Sequence, residues 1–220
     1  MSYAIKICGV KSREALAAAA SAGATHVGFA FFAKSPRAVS HDQARMLADA
    51  APDTLARVAL LVDPADEDVA NAVLAARPAL IQLHGKETPA RAADIRARFK
   101  TPVMKALPVA AAADVARARD YEETCDWLLF DAKPDPNADR PGGHGRAFDW
   151  SLLKGYAGRK PWMLSGGLNP ENVGEAVRIS GAHAVDVSSG VESRPGQKST
   201  RLIEAFAAAA KAVLQEGAPA

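Results

Sequence analysis

Two side chains that enzymes use to transfer protons stand at the ends of apolar runs typical of buried strands. Cys8 ends the run 4–8, and Gly9 follows it, where the lack of a side chain allows the backbone to turn sharply. Asp131 comes directly after the apolar run 128–130. Taken singly, Cys8 could instead be a small buried apolar residue, and Asp131 could cap the segment that follows it.

Three short runs rich in glycine and serine carry a more specific signal. They span residues 142–145, 165–168 and 187–191. Small residues let backbone N–H groups approach an anion closely, so these runs predict a site for a phosphate group. The plainer alternative is that they are tight turns without a ligand. The residues expected to contact the phosphate are Gly143, Gly166, Gly167, Ser188, Ser189 and Gly190.

The segments that must position these groups alternate between short β-rich runs and alanine-rich helical stretches, which is typical of βα units on a parallel sheet. The predicted strands are Ala4–Cys8, His26–Phe31, Arg57–Val62, Leu80–His84, Val103–Ala106, Trp127–Asp131, Trp162–Ser165 and Ala184–Val187. The predicted helices are Ser12–Ser21, His41–Ala50, Ala65–Ala76, Thr88–Arg98, Ala110–Arg119, Pro170–Ile179 and Thr200–Leu214. About eight strands favour a closed barrel over an open sheet of about five or six.

The fold class expected from this pattern is α/β, with a single (β/α)8 TIM barrel over residues 1–220 and a frayed tail at residues 216–220. Barrel enzymes collect their catalytic groups at the C-terminal ends of the strands, and phosphate sites form in the loops after the seventh and eighth strands. The loop 133–145 is long and rich in proline and glycine, so it is a candidate lid or ligand clamp. Further polar residues at the predicted strand ends are Arg37, Asp63 and His84.

Composition and charge narrow the classes of function. Of the 220 residues, 49% are hydrophobic and 24% are charged, which is the usage of a folded globular domain rather than of a disordered chain. The formal net charge is +2 and the basic residues are not clustered, so we expect no nucleic-acid partner. The sequence has no apolar signal region and no long apolar run, and Cys8 and Cys125 are too few for a disulfide framework. These features predict a cytoplasmic protein without a membrane partner.

Short motifs are spread over nearly the whole chain. They are Lys6–Gly9, Gly28–Phe31, Ser35–Arg37, Gln82–Gly85, Leu129–Lys133, Gly142–Gly145, Phe148–Trp150, Leu164–Leu168 and Val185–Glu192. Each is weak alone, but in this order and spacing they resemble the phosphoribosylanthranilate isomerase family. The resemblance is specific because it extends over so many separate segments.

The resemblance implies an Amadori rearrangement of N-(5-phosphoribosyl)anthranilate to 1-(2-carboxyphenylamino)-1-deoxy-D-ribulose 5-phosphate, a step of L-tryptophan biosynthesis. It makes Asp131 the general acid that protonates the ring oxygen, and Cys8 the general base that removes a proton from the adjacent sugar carbon. Opening the ring leaves a Schiff base whose positive nitrogen acidifies that C–H bond, so no metal and no organic cofactor is expected.

The resemblance also assigns residues to substrate binding. Arg37 is expected to pair with the anthranilate carboxylate in the bidentate geometry that a guanidinium group favours. His84 and Asp186 are expected to line the pocket floor and to orient the substrate or the catalytic groups, although a polar residue satisfied inside a barrel is an equally good interpretation. The partner is then a small phosphosugar, and we expect the protein to be a monomer or a homodimer.

Three alternatives remain open from the residues. Indole-glycerol-phosphate synthase or a ribulose-phosphate epimerase would share the phosphate loops, but the former needs catalytic Lys and Glu residues and the latter metal-binding His and Asp residues, and neither set is visible. A non-catalytic phosphosugar-binding barrel would not need Cys8 and Asp131 at strand ends. A metal site built from Cys8, His84, Asp131 and His144 lacks any compact ligand spacing, so none is predicted.

Overall fold

A closed barrel of eight parallel strands forms the centre of the molecule in the computed structural model, which describes residues 3–135, 142–143, 145 and 147–216. Each strand pairs with its neighbours in sequence, and the eighth pairs with the first. The strands are β1 (Ala4–Cys8), β2 (His26–Ala30), β3 (Ala56–Leu61), β4 (Leu80–Leu83), β5 (Val103–Val109), β6 (Trp127–Ala132), β7 (Trp162–Leu164) and β8 (Ala184–Val187). The predicted (β/α)8 TIM barrel is confirmed.

Alternation along each strand separates the outer core from the barrel interior, because successive side chains point to opposite faces of a sheet. In β1, Ile5 and Ile7 pack outward against the helices, whereas Ala4 lies in the interior. Lys6 and Cys8 follow Ala4 at intervals of two residues and share its direction. The apolar floor of the interior consists of Ala4, Val58, Leu80, Met104, Ala106, Leu129, Met163 and Ala184.

Helices surround the barrel and cover its outer face. Several begin at a side-chain cap, since Ser12, Ser40 and Thr88 each accept a hydrogen bond from a backbone N–H three residues later, an arrangement that stabilises a helix by about 1 kcal/mol. Many alanines on the inner faces let the helix axes approach the sheet closely. The helices are α1 (Arg13–Ser21), α2 (His41–Ala50), α3 (Asp66–Ala76), α4 (Pro89–Phe99), α5 (Ala112–Ala116), α6 (Val173–Ser180) and α7 (Thr200–Glu216).

Apart from the barrel strands, helices α5 and α6 and the segment after β8 differ from the expected pattern. Helix α5 is a single turn that continues as a 3-10 segment, Arg117–Tyr121, where one longer helix is predicted. Helix α6 begins at Val173 rather than Pro170, because the Asn169 side chain accepts two backbone N–H groups and holds residues 169–172 in a turn. After β8 the chain forms a further 3-10 segment and then an antiparallel hairpin that the sequence does not predict.

The hairpin after β8 consists of β9 (Glu192–Arg194) and β10 (Gln197–Lys198), and it lies outside the barrel sheet. The expected frayed tail at residues 216–220 lies outside the described residues except for Glu216, which ends α7. No helix in the part of the chain that the structure describes has the length and apolar character needed to cross a membrane.

Candidate active site

A pocket opens at the C-terminal ends of the barrel strands, with a volume of about 860 Å³ including the space at its mouth. Of the residues predicted to act in the site, the lining includes Cys8, Arg37, His84, Asp131, Gly143, Gly166, Gly167, Asp186, Ser188 and Ser189. Gly190 is not part of the lining and packs behind it against the turn after β7.

Lys6 lies directly below Cys8 in the barrel interior. The Lys6 side chain is fully buried, and its Nζ donates a hydrogen bond to Asp186 Oδ1 at 2.7 Å. Asp186 Oδ2 accepts a second hydrogen bond from Ser165 Oγ at 3.1 Å. Burial lowers the pKa of Lys6, but the Asp186 carboxylate and Cys8 raise it by more, so the pKa lies above its ordinary value. Lys6 therefore carries a positive charge beneath the thiol.

The Cys8 thiol is buried, with 6% of the residue exposed at the floor of the pocket. Burial raises the pKa of Cys8, the Lys6 ammonium group lowers it, and the Asp186 carboxylate raises it again, with the net result above the ordinary value. Lys198 also acts to lower this pKa. The free protein thus holds Cys8 as a thiol, with two ammonium groups placed to favour the thiolate once a further positive charge arrives.

Asp131 and His84 form a hydrogen-bonded pair at the ends of β6 and β4. Asp131 Oδ1 accepts a hydrogen bond from the Ala132 N–H at 2.9 Å, and its Oδ2 lies 3.2 Å from His84 Nε2. The Gln82 side-chain amide lies 3.0 Å from His84 Nδ1, so both ring nitrogens of His84 have a polar partner. The carboxyl group is therefore held at a fixed orientation at the pocket wall.

Arg37 lies at the pocket rim with most of its side chain buried, 7% of it being exposed. Its Nε donates to Glu192 Oε1 at 2.8 Å and its Nη2 donates to Glu192 Oε2 at 2.9 Å, so one edge of the guanidinium group is bound within the protein. Nη2 also donates to the Gly143 carbonyl oxygen at 3.3 Å. Nη1 lies beside Gly143 and has no hydrogen-bond acceptor among the described residues.

The two glycine-rich turns after β7 and β8 pack against each other at the pocket wall. Gly166 and Gly167 have φ angles of +85° and +67°, which L side chains rarely adopt. A Cβ at Gly190 would collide with the carbonyl oxygen of Leu168. Within the described part of the chain, the N–H groups of Gly167 and Ser189 donate to no acceptor, so they are available to an anion.

Sequence reasoning missed four residues that support the site. Lys6 and Gln82 lie two residues before Cys8 and His84, and strand periodicity could have placed them on the same inward face. Glu192 ends the last family-like motif and Lys198 follows in the hairpin, but no sequence signal links them to Arg37. Among the described residues no group of three His, Cys, Asp or Glu side chains could hold a metal ion, and His144 lies outside those residues.

Comparison with known proteins gives one consistent result. Residues 5–209 match the family described as N-(5'phosphoribosyl)anthranilate (PRA) isomerase. The N-(5'-phosphoribosyl)anthranilate isomerase of Parvibaculum lavamentivorans is 51% identical over 96% of this chain and 99% of its own length. That of Mesorhizobium japonicum is 48% identical over 99% of this chain and its full length.

Solved structures agree with the sequence comparison. The phosphoribosyl anthranilate isomerase of Thermotoga maritima is 37% identical, with a TM-score of 0.86 over 96% of this chain and its full length. A second isomerase structure, in complex with reduced 1-(o-carboxyphenylamino)-1-deoxyribulose 5-phosphate, is 35% identical with a TM-score of 0.83 and the same coverage. Monomers generated from the dimeric T. maritima enzyme are 35% identical, with a TM-score of 0.82 over the same shares.

Proposed function

This chain belongs to the N-(5'-phosphoribosyl)anthranilate isomerase family, and we propose that Asp131 and Cys8 are the general acid and general base of its reaction. The protein is an isomerase that converts N-(5'-phosphoribosyl)anthranilate to 1-(2-carboxyphenylamino)-1-deoxyribulose 5-phosphate in tryptophan biosynthesis. The observation that carries the residue assignment is that both groups line one pocket, on strands β1 and β6, together with Arg37 and two glycine-rich turns.

Ring opening is the first step of the proposed mechanism. Asp131 gives its proton to the furanose ring oxygen, the bond between that oxygen and the anomeric carbon breaks, and the anthranilate nitrogen supplies the electron pair that forms a cationic Schiff base. The hydrogen bond between His84 and Asp131 and the one from the Ala132 N–H hold the carboxyl group in place during the transfer. A fixed donor loses little free energy to reorganisation during the transfer.

Proton removal from the neighbouring sugar carbon is the second step. The Schiff base acidifies this C–H bond, and its positive charge adds to those of Lys6 and Lys198 in favouring the Cys8 thiolate. The Cys8 thiol first gives its proton to solvent in the pocket, and the thiolate then takes the proton from the sugar carbon. The C–H electron pair becomes part of a C=C bond while the C=N electrons return to nitrogen, which gives an enolamine. Tautomerisation moves the hydroxyl proton to the former anomeric carbon and gives the aminoketone. After the reaction Asp131 lacks one proton and Cys8 carries the one taken from carbon, so exchange with solvent returns a proton to Asp131 before the next turnover.

The two ends of the substrate are proposed to bind at separate places. Backbone N–H groups of Gly167 and Ser189, which have no acceptor in the described part of the chain, bind the phosphate. The anthranilate carboxylate binds Arg37. Because Glu192 occupies the Nε and Nη2 edge, the contact is made through Nη1 rather than by the bidentate pairing that the sequence suggests.

Turnover of freshly prepared N-(5'-phosphoribosyl)anthranilate by the purified protein tests the proposal, with loss of anthranilate-type fluorescence as the signal. We expect saturable turnover without added metal or cofactor. If the protein binds phosphosugars but leaves the substrate unchanged, it is a non-catalytic phosphosugar-binding barrel. We further propose that it is cytoplasmic, acts on this small phosphosugar without nucleic acid or membrane, and is a monomer or a homodimer.

Replacing Gly190 with Ala is expected to weaken phosphate binding by about tenfold or more, because the new Cβ would force the Leu168 carbonyl and the two turns apart. Titration calorimetry with inorganic phosphate measures the effect. Gly174→Ala is the control, since this glycine lies in α6 and a Cβ there meets nothing closer than 3.5 Å. Unchanged phosphate affinity in Gly190→Ala would remove these turns from the phosphate site.

Replacing Arg37 with Ala is expected to raise KM for N-(5'-phosphoribosyl)anthranilate by roughly 10-fold to 100-fold, the value of a hydrogen bond to a charged group. Inorganic phosphate should bind nearly as before, since only the aromatic carboxylate loses its partner. Steady-state kinetics and calorimetry give the two values. Equal losses for both ligands would mean that Arg37 is a phosphate ligand or a purely structural residue.

A further inference from the structure

The hairpin after β8 brings two buried charged side chains to the back of the pocket. Glu192 begins β9 and Lys198 ends β10, and the two pair with each other in the antiparallel register. Their side chains are 4% and 1% exposed. The hairpin contributes no strand to the barrel, and its turn residue Gly196 packs against the carbonyl oxygen of Pro36, the residue before Arg37. Its position is thus fixed against the loop that carries Arg37.

Both oxygens of the Glu192 carboxylate accept hydrogen bonds from Arg37 and from the hairpin. Oε1 accepts from Arg37 Nε at 2.8 Å and from Lys198 Nζ at 2.9 Å. Oε2 accepts from Arg37 Nη2 at 2.9 Å and from the Gly196 N–H at 3.2 Å. Four hydrogen bonds fix the plane of the carboxylate, and the planar fork of Arg37 must lie in line with it.

Lys198 ties this pair to the turn after β8. Its Nζ donates to the Ser188 carbonyl oxygen at 2.8 Å and lies 3.3 Å from Ser188 Oγ. Ser188 Oγ in turn donates to the carbonyl oxygen of Cys8 at 3.2 Å. A continuous set of hydrogen bonds therefore runs from Arg37 through Glu192 and Lys198 to the turn that is proposed to bind phosphate.

The Glu192 carboxylate balances the charges of Arg37 and Lys198. Arg37 and Lys198 would be two buried cations side by side without it, a costly arrangement. Burial raises the pKa of Glu192, but Arg37 and Lys198 lower it by more, so the carboxylate stays ionised. Nη1 of Arg37, which has no acceptor among the described residues, is where an anionic ligand can meet this cluster.

We propose that Glu192 is a positioning residue for the reaction, which holds Arg37 so that Nη1 faces the carboxylate-bearing ring of the substrate. The inference rests on the proposed role of Arg37. Glu192 does not line the pocket, and we assign its effect on substrate affinity to the guanidinium group of Arg37 rather than to Lys198. The described contacts of its carboxylate end on Arg37, Lys198 and Gly196.

Glu192→Gln is the test, because it keeps the side-chain volume and removes the charge. The Gln amide nitrogen must face a donor of Arg37 or Lys198, so the fork loses its alignment. We expect KM for N-(5'-phosphoribosyl)anthranilate to rise roughly 10-fold to 100-fold, with kcat changed by less than about threefold and inorganic phosphate affinity nearly unchanged. Arg194→Gln, on the exposed face of the same hairpin, is the matched control and should leave KM unchanged.

A double-mutant cycle with Arg37→Met separates positioning from a general structural effect. If Glu192 acts through Arg37, then Glu192→Gln adds less than about a twofold change in KM to Arg37→Met. Multiplying effects would overturn the proposal, as would a Glu192→Gln variant with wild-type KM. Glu192→Asp keeps the charge on a shorter stem; if Glu192→Gln does not fold, the same cycle with Glu192→Asp decides the question. Lack of turnover in the wild type would instead overturn the proposed function.

Discussion

Asp131→Asn should lower kcat for N-(5'-phosphoribosyl)anthranilate by about 100-fold or more, the size of effect that general acids contribute. Asn keeps the shape of the side chain and can still accept the hydrogen bond from the Ala132 N–H. It has no acidic proton to give to the ring oxygen. Because ring opening precedes all other chemistry, the substrate should remain in its closed form. Steady-state kinetics should place the loss in kcat and leave KM within about threefold.

Asp126→Asn provides the control for this substitution. Asp126 lies directly before β6, at the opposite end of the strand from Asp131, and it accepts hydrogen bonds from the Val103 N–H and from Arg96. Residues at that end of a barrel contribute to stability rather than to catalysis, so kcat should stay within about twofold of the wild type. Equal activity of the two variants would remove Asp131 from the mechanism.

The placement of Asp131 could be predicted because the barrel strands are buried on both faces and appear as apolar runs, which makes the first polar residue after each run easy to find. The same reasoning located Cys8 and His84. It failed for the end of β5, which the sequence predicts at Ala106 although the strand continues to Val109 through Pro108. Pro108 pairs with Asp131 in the register, so tertiary pairing overrides the local tendency of proline to end a strand.

Polar residues inside the barrel were harder to predict. A lysine in a strand normally points to solvent, yet Lys6 is fully buried with Asp186 as its partner. Gln82 is equally buried and orients His84. Above its apolar floor the closed barrel holds a polar layer, whose members come from strands far apart in sequence. Strand periodicity gives the direction of these side chains but not their partners, because the pairing depends on closure of the sheet.

The hairpin could not be predicted because its strands have three and two residues, too short for any periodicity to appear. Glu192 and Arg37 are 155 residues apart, and only the folded barrel brings β2 and β8 to the two sides of β1. A sequence can therefore name the residues that touch a substrate at strand ends. It cannot name the charged residues that orient them, such as Glu192, because these become neighbours only in the folded barrel.

Cys8→Ala should also lower turnover by about 100-fold or more, but at a different step. Asp131 can still open the ring, so the Schiff base forms. Removal of the proton from the sugar carbon is then slow because the Cys8 base is absent. With substrate deuterated at the sugar carbon that loses its proton, the residual turnover of Cys8→Ala should show a larger kinetic isotope effect than the wild type, because C–H cleavage becomes the slowest step. Asp131→Asn should show no such increase, since its slow step comes earlier.

The pH dependence gives an independent measure of the same assignment. Because burial raises the pKa of Cys8 in the free protein, its thiolate fraction, followed by the rate of alkylation with iodoacetamide, should grow through the alkaline range. Cys125→Ala is the control, since burial raises the pKa of that thiol to about 11 and it does not line the pocket. The Cys125→Ala variant should keep the alkaline rise, and Cys8→Ala should lose it. Full turnover in Cys8→Ala, with an unchanged isotope effect, would show that another group removes the proton.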